Sequence, residues 1–271
     1  MVKMFLTMLI VASIAYAAML ATLYGLQRSM LYVGGGELLP PADIGLTEVE
    51  VLRLETLDGE RLAAWYRAPE PGQRTILYLQ GNAQTLSDRV QPFSGFMEAG
   101  YGLLAISYRG FSGSTGTPTQ DGLVTDALTA YDWLAERGEL VIVYGQSLGS
   151  GVAVQLAVQR TVEAVVLEVP FSAAVDVAAQ QYPMFPVRLL MKDQWRSRDL
   201  IADINAPLLI VGAGQDRVIP VEQSRQLFDM ASEPKRYVLL PESSHIGPWD
   251  HGIGEAMAAF LGEQMGVLNA R

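Results

Sequence analysis

Six short apolar runs punctuate the chain, at Ile76-Leu79, Gly102-Ile106, Leu140-Tyr144, Ala164-Leu167, Pro207-Val211 and Tyr237-Leu240. Each is nearly continuous rather than alternating with polar residues, as a strand covered on both faces requires, and this favours a parallel sheet. Helical segments lie between them. The clearest sets Leu123, Ala127, Ala130, Tyr131 and Leu134 on one stripe and places Asp121 in its first turn, where the helix dipole favours a carboxylate. Strand alternating with helix predicts an α/β fold, with a right-handed, mostly parallel sheet and helices on both faces. Ahead of the runs, Val49-Leu54 and Leu62-Trp65 flank the turn dipeptide Asp58-Gly59, which reads as an antiparallel hairpin at the sheet edge.

The amino terminus obeys a different rule. From Met4 to Leu26 the only polar side chains are Thr7, Ser13, Tyr16, Thr22 and Tyr24, and at ~1.5 Å per residue this stretch covers the ~30 Å hydrocarbon core of a bilayer. A cleaved signal peptide is the competing reading, because Lys3 supplies a short basic region and Ala15-Tyr16-Ala17 has the small-x-small cleavage pattern. The apolar stretch continues to Leu26, longer than such a leader needs. The expectation is therefore an uncleaved, single-pass membrane anchor over residues 1–30, with the span at about 4–26. Gly34-Gly35-Gly36 and Pro40-Pro41 then mark a linker over 31–46, and a single domain is expected over 47–271. Lys3 and the α-amine stand before the span, whereas Arg28 is followed mainly by Glu37, Asp43, Glu48 and Glu50, which places the domain on the non-cytoplasmic side. Deleting residues 1–26 is expected to release a soluble, active domain.

Composition removes several classes of function. The chain carries 19 Lys and Arg against 29 Asp and Glu, a net charge of −10, and so lacks the cationic excess that neutralising nucleic-acid phosphates demands. With no cysteine there is no thiolate metal site and no cysteine nucleophile, and two histidines, His245 and His251, are too few for a histidine-rich metal centre. Half of the residues are hydrophobic and 18% are charged, which excludes intrinsic disorder.

The chemistry concentrates at strand ends. Val141-Ile-Val-Tyr144 leads into Gly145-Gln-Ser147-Leu-Gly149, and Ser150-Gly151 opens an apolar helix. A serine on such a strand-turn-helix elbow is forced into a strained backbone conformation that exposes its hydroxyl, and the flanking glycines avoid collisions with the neighbouring strand. A serine hydroxyl needs a base within hydrogen-bond reach, and the base needs a carboxylate to fix its tautomer. His245 follows the last run through Pro241-Glu-Ser-Ser and is the candidate base, with His251 as its alternative at the start of the last helix. Asp216, after Leu208-Val211 and Gly212-Ala-Gly-Gln, is the candidate acid, with Glu168 at the end of the Ala164 run as the other choice. For an oxyanion, the amide of Leu148 supplies one donor and that of Asn82, in Gln80-Gly81-Asn82-Ala83, the second.

The order Ser147, Asp216, His245 and these loops resemble the α/β-hydrolase superfamily, and within it the membrane-anchored serine hydrolases of the abhydrolase-domain type, which include protein depalmitoylases. Gln27-Arg28-Ser-Met-Leu31-Tyr32 is similar to that family's juxtamembrane segment, and Gln80-Gly-Asn-Ala83 resembles its His-Gly-Asn-Ala motif. Ser107-Tyr-Arg-Gly-Phe-Ser-Gly-Ser114 resembles its Asp-Tyr-Arg-Gly loop, while Pro170-Phe171-Ser172 and Tyr182-Pro183 resemble its short cap. Gln80 and Ser107 depart from the family's histidine and aspartate. The resemblance implies ester or thioester hydrolysis without a cofactor or metal.

Between Glu168 and Pro207 the chain is longer than a plain strand-helix-strand connection, so a cap insertion is expected over about 170–205. In a hydrolase of this order it lies over the nucleophile, and Phe171, Tyr182, Met184, Phe185 and Trp195 are the candidates for an acyl slot, unless they merely pack the cap onto the domain. Arg188, Lys192, Arg196 and Arg198 intersperse them, either to meet anionic head groups or as a solvated helix face. The expected partners are a small-molecule or acylated substrate and the membrane, with no nucleic acid. A peptidase or amidase on the same fold, a lyase-like use of the scaffold and a non-catalytic tethered interaction protein are the alternatives.

Overall fold

The computed structural model describes residues 1–269. The expected hairpin is β1 (Glu50–Glu55) and β2 (Arg61–Arg67), and the six apolar runs become β3 (Thr75–Leu79), β4 (Gly102–Ile106), β5 (Val141–Gln146), β6 (Ala164–Glu168), β7 (Leu208–Ala213) and β8 (Lys235–Leu240). They form one eight-stranded sheet in the order β1-β2-β4-β3-β5-β6-β7-β8. Only the pairings of β1 with β2 and of β2 with β4 are antiparallel; every pairing from β4 to β8 is parallel.

Successive residues of the central strands serve two different cores. Leu77, Leu79, Leu104, Ile106 and Val143 pack against α3 (Gln120–Ala135), α4 (Leu148–Ala157) and α7 (Val221–Met230). Ile76, Tyr78, Leu103, Ala105, Ile142 and Tyr144 pack against α2 (Val90–Glu98) and α8 (Ile253–Asn269) on the other face. Both sets of side chains are buried, which is why these runs show no polar alternation.

The sheet also fixes where a site can form. β3 is followed in sequence by β4 on one side, whereas β5 lies on its other side, so the chain reverses its direction of travel across the sheet between β3 and β5. At such a switch point the loops leaving the carboxyl ends of neighbouring strands diverge to opposite faces and leave a crevice. Gln80-Gly81-Asn82 leaves β3 there, and Ser147 leaves β5.

Two features of the amino-terminal region differ from expectation. The first helix, α1 (Val2–Leu31), runs five residues past Leu26 to the end of the juxtamembrane segment. The stretch after it, expected as a linker, is laid down on the domain: Tyr32, Pro41 and Leu46 are buried, and the Gly34 amide donates to the Asn82 carbonyl at 3.0 Å. The glycines there serve close approach, because a Cβ on Gly35 would lie 2.3 Å from the Thr85 methyl.

Among the glycines the closest approach is at Gly149, where a Cβ would stand 2.0 Å from the Leu79 carbonyl oxygen. Gly149→Ala is expected to destabilise the protein by about 3 kcal/mol, as overpacking against rigid backbone does. Gly262→Ala meets open space on α8 and leaves stability unchanged or slightly raised. Thermal unfolding of the two full-length variants in detergent checks this, and equal melting temperatures would refute it.

Candidate active site

Ser147 stands between β5 and α4 with φ 51° and ψ −114°, a left-handed backbone that side chains rarely adopt. Neighbouring contacts hold it there. Gly145 has no room for a Cβ, which would approach the Gly149 carbonyl oxygen to 2.4 Å, and the Ser147 amide donates to the Glu168 carbonyl at 2.9 Å.

From this elbow the hydroxyl faces a histidine. His245 Nε2 lies 2.9 Å from Ser147 Oγ, and His245 Nδ1 lies 2.7 Å from Asp216 Oδ2. The other oxygen of Asp216 accepts from the amides of Val218 and Ile219 at 2.8 and 2.9 Å. The carboxylate is thus oriented by its own turn while its second oxygen remains for the ring. The three residues come from loops after β5, β7 and β8, and the structure brings together the serine, histidine and aspartate that the sequence singled out. His251, the alternative base, is exposed on a 3-10 turn, Pro248–His251.

Glu168, the alternative acid, is elsewhere. Its carboxylate is fully buried beneath the elbow, where it accepts from Tyr144 Oη at 2.6 Å and Gln146 Nε2 at 3.4 Å, with Arg89 Nη2 3.7 Å away. Tyr78 Oη donates to Gln146 Oε1 at 3.0 Å and accepts from Arg89 Nε at 2.7 Å. Burial opposes the Arg89 charge, but the surrounding oxygens of Tyr78, Glu168 and Tyr144 outweigh it and hold the guanidinium above its ordinary pKa. Burial and the neighbouring Glu168 push the Tyr144 phenol up as well, so it stays a neutral donor. Sequence reasoning missed this network, because Tyr78 and Arg89 carry no motif.

The second loop of the crevice is held from outside the sheet. Asn82 Nδ2 donates to the Leu31 carbonyl at 3.2 Å, and the Asn82 carbonyl accepts from Gly34. Gln80, where the resemblance has a histidine, is buried with its amide unpaired by any other protein group. The Ser107–Ser114 loop keeps its arginine: Arg109 Nε donates to the buried Asp126 at 2.8 Å, and Ser107 Oγ donates to the Ser112 carbonyl at 2.8 Å.

A cavity of about 310 Å³ opens over Ser147, Leu148 and Asn82, and its lining is mostly apolar. Phe171, Tyr182 and Phe185 of the cap line it, together with Ala174, Val177 and Val187. Met184 and Trp195 do not. Met184 turns its side chain to the exterior while its carbonyl accepts from Tyr16 Oη at 2.8 Å. Trp195 is buried in the core, packed on Gly151 and donating through Nε1 to Tyr32 Oη at 3.1 Å. The opposite wall was not anticipated at all: Leu20, Leu23, Tyr24 and Leu31 of α1 supply it. Among the described residues, no group of three or more histidine, aspartate or glutamate side chains could hold a metal ion.

The Ser147 hydroxyl is the one placed for attack by a neighbouring base, whereas Ser150 Oγ is spent on the Ser147 carbonyl at 2.6 Å. A fluorophosphonate is therefore expected to label the protein at Ser147, with labelling lost in Ser147→Ala and kept in Ser150→Ala. Peptide mass spectrometry of the adduct checks the position, and an adduct elsewhere would displace Ser147 as the reactive group.

No family model matches the chain. Among curated proteins, an uncharacterised protein of Mycobacterium tuberculosis is 35% identical over 247 residues, covering 88% of each chain. Human ABHD12B is 34% identical over 196 residues, 64% of this chain and 54% of that protein. The α/β hydrolase domain-containing protein WAV2 of Arabidopsis thaliana is 29% identical over 263 residues, 86% of this chain and 85% of that one. Among solved structures, the Pyrococcus furiosus esterase Pf2001 superposes with a TM-score of 0.69 at 16% identity, covering 86% of this chain and 97% of the esterase. Est1E from Butyrivibrio proteoclasticus, bound to ferulic acid, gives a TM-score of 0.68 at 19% identity over 79% of this chain and 99% of that one. At such identities the two structures speak to the fold alone.

Proposed function

The chain belongs to the α/β-hydrolase family, and from that premise we propose that it is a membrane-anchored serine hydrolase that cleaves carboxylic esters or thioesters with an apolar acyl group. The observation that carries this reading is the unbroken line of contact from Asp216 through His245 to Ser147 Oγ, with Ser147 opening into an apolar cavity. A helix long and apolar enough to cross a membrane precedes the domain.

In the proposed reaction, Ser147 Oγ attacks the acyl carbon while its proton passes to His245 Nε2, and Asp216 stabilises the imidazolium that forms. The carbonyl oxygen becomes an oxyanion. Leu148 is the first residue of α4, where amides have no intrahelical acceptor, and its N–H with that of Asn82 are the assigned donors. Collapse expels the alcohol or thiol, which takes the proton back from His245, and leaves an acyl-serine. Water then attacks the acyl-serine with His245 as base, releasing the carboxylic acid and restoring Ser147.

Removal of each group separates this reading from its alternatives. Ser147→Ala and His245→Ala should lower kcat/KM for p-nitrophenyl butyrate by roughly four to six orders of magnitude, and Asp216→Asn by roughly four. His251→Ala should change it little. Glu168→Gln should instead cost about 3 kcal/mol of stability, because Arg89 loses its buried counter-charge, with a far smaller kinetic loss than Asp216→Asn. A dead His251 variant beside an active His245 variant, or faster turnover of the matched p-nitroanilide than of the ester, would overturn the proposal.

A further inference from the structure

We propose that α1 is part of the substrate site as well as an anchor: it forms one wall of an acyl slot that opens sideways into the bilayer, through which a lipid ester reaches Ser147. This deepens the hydrolase reading and rests on it.

The first argument is the position of the helix on the cap. From Val2 to Met19 every residue of α1 is exposed, whereas Leu20, Leu23, Gln27, Arg28 and Leu31 are half-buried, and their spacing places them on one helical face. That face meets the cap at the end of α6 (Val187–Leu190) and in the loops on either side of it, while α5 (Ala174–Gln181) lines the same cavity. Arg28 pairs in a fork with Asp193 at 2.8 and 3.1 Å, and Gln27 Oε1 accepts from the Lys192 amide at 2.7 Å. Higher on the helix, Tyr16 stacks on Phe185 and bonds the Met184 carbonyl. The wall of the cavity above Ser147 is therefore built from Leu20 and Leu23 facing Phe185.

The second argument is depth. A ~30 Å hydrocarbon core needs ~20 residues of helix, and counted from Met4 these reach Leu23. Tyr24 and Lys192, whose ammonium sits 4.2 Å from the ring centre, then fall at the head-group level where such residues are favoured, with Arg28 just beyond. Tyr16 lies eight residues deeper than Tyr24, or about 12 Å along the helix. Because Tyr16 contacts the cap, the cap tip must sit within the hydrocarbon. Met184 and Leu189, 77% and 82% exposed, suit that position, and the exposed Arg188 beside Leu189 is neutralised by Asp176 at 2.9 Å. The slot mouth between α1 and the cap tip then faces acyl chains rather than water.

The third argument concerns the occupant. Ser147 is only 9% exposed at the inner end of the slot, so the scissile carbonyl must be delivered on a slender group. A bilayer lipid with a long acyl chain and a small head satisfies this, and a folded acylated protein does not. The anchor also braces the reaction centre, since the Leu31 carbonyl holds the Asn82 side chain. Loss of residues 1–26 would remove the Leu20 and Leu23 wall, contrary to a purely tethering role.

The test uses full-length protein in phosphatidylcholine nanodiscs. Leu20→Trp and Leu23→Trp are expected to lower the ratio of kcat/KM for p-nitrophenyl palmitate to that for the acetate by about tenfold or more, as filling an apolar slot does. Leu9→Trp, on the exposed part of α1, should leave the ratio unchanged. Fluorophosphonate labelling reports whether each variant keeps a competent site. An unchanged ratio in both slot variants, with labelling intact, would overturn the slot and leave the hydrolase reading standing. Failure of the unmodified protein to label or to turn over any ester would instead sink the hydrolase reading. Because the chain has no cysteine, Leu189→Cys carries a single bimane dye; quenching by doxyl-labelled lipids is expected, and water-like emission would refute the depth of the cap. Turnover of an S-palmitoyl peptide with none of 1-palmitoylglycerol in the same nanodiscs would overturn the lipid assignment.

Discussion

The approach of Gly149 to the Leu79 carbonyl, where not even a methyl group fits, sets the geometry of everything at the carboxyl end of the sheet. It lets the amino terminus of α4 lean across the end of β3. The unpaired amides of that helix terminus and the turn at Gly81-Asn82 are thereby brought over one crevice. The same approach forces the chain to reverse within a single residue, and Ser147 absorbs the reversal in its left-handed backbone. Strain of this kind persists only where the surroundings over-determine it. Here the surroundings are the Ser147 amide bond to the Glu168 carbonyl and the buried Tyr78, Gln146, Tyr144 and Glu168 network beneath it.

That network also accounts for the buried carboxylate beneath the elbow. Glu168 is far from His245 in its contacts and belongs to the support of the elbow, with Arg89 as counter-charge. Asp216 differs in that its own turn occupies one carboxylate oxygen and leaves the other directed at the histidine. Two carboxylates at the ends of adjacent strands, β6 and β7, are thus distinguished by which groups their oxygens meet.

The fold was legible in the sequence because its strands are buried on both faces, which leaves unbroken apolar runs that nothing else in a soluble domain needs. Ser147, Asp216 and His245 could be singled out because each lies on the loop that leaves such a run, so locating the strand located the residue. The placement of Trp195 and Met184 was not legible in this way. Both lie in an irregular insertion, where backbone direction rather than residue type decides whether a large side chain faces a cavity, and Trp195 has a left-handed φ of 44° that turns it into the core. The docking of α1 was illegible for another reason. A helix apolar all round carries no stripe to say which face packs, and its partners on the cap lie more than 160 residues away in sequence. The signal that was present is the set of polar residues Tyr16, Tyr24, Gln27 and Arg28.

Those residues also decide how firmly the helix and the cap are joined. In hydrocarbon or at its edge, a polar side chain must find a partner within the protein. Thr7 and Thr22 find theirs one turn back, in the carbonyls of Lys3 and Ala18. Tyr16, Tyr24, Gln27 and Arg28 find theirs on the cap, in Met184, Lys192, Leu190 and Asp193 respectively. Separating α1 from the cap within a membrane would strand the deeper of these groups without water to replace the lost bonds, whereas in water the same separation costs little. A bilayer around α1, as proposed, would therefore strengthen this contact. Under the proposed anchoring, a helix held in this way would fix Ser147 at a set distance from the head groups, since Leu31 and Gly34, which close the chain between α1 and the sheet, bond directly to Asn82 beside it.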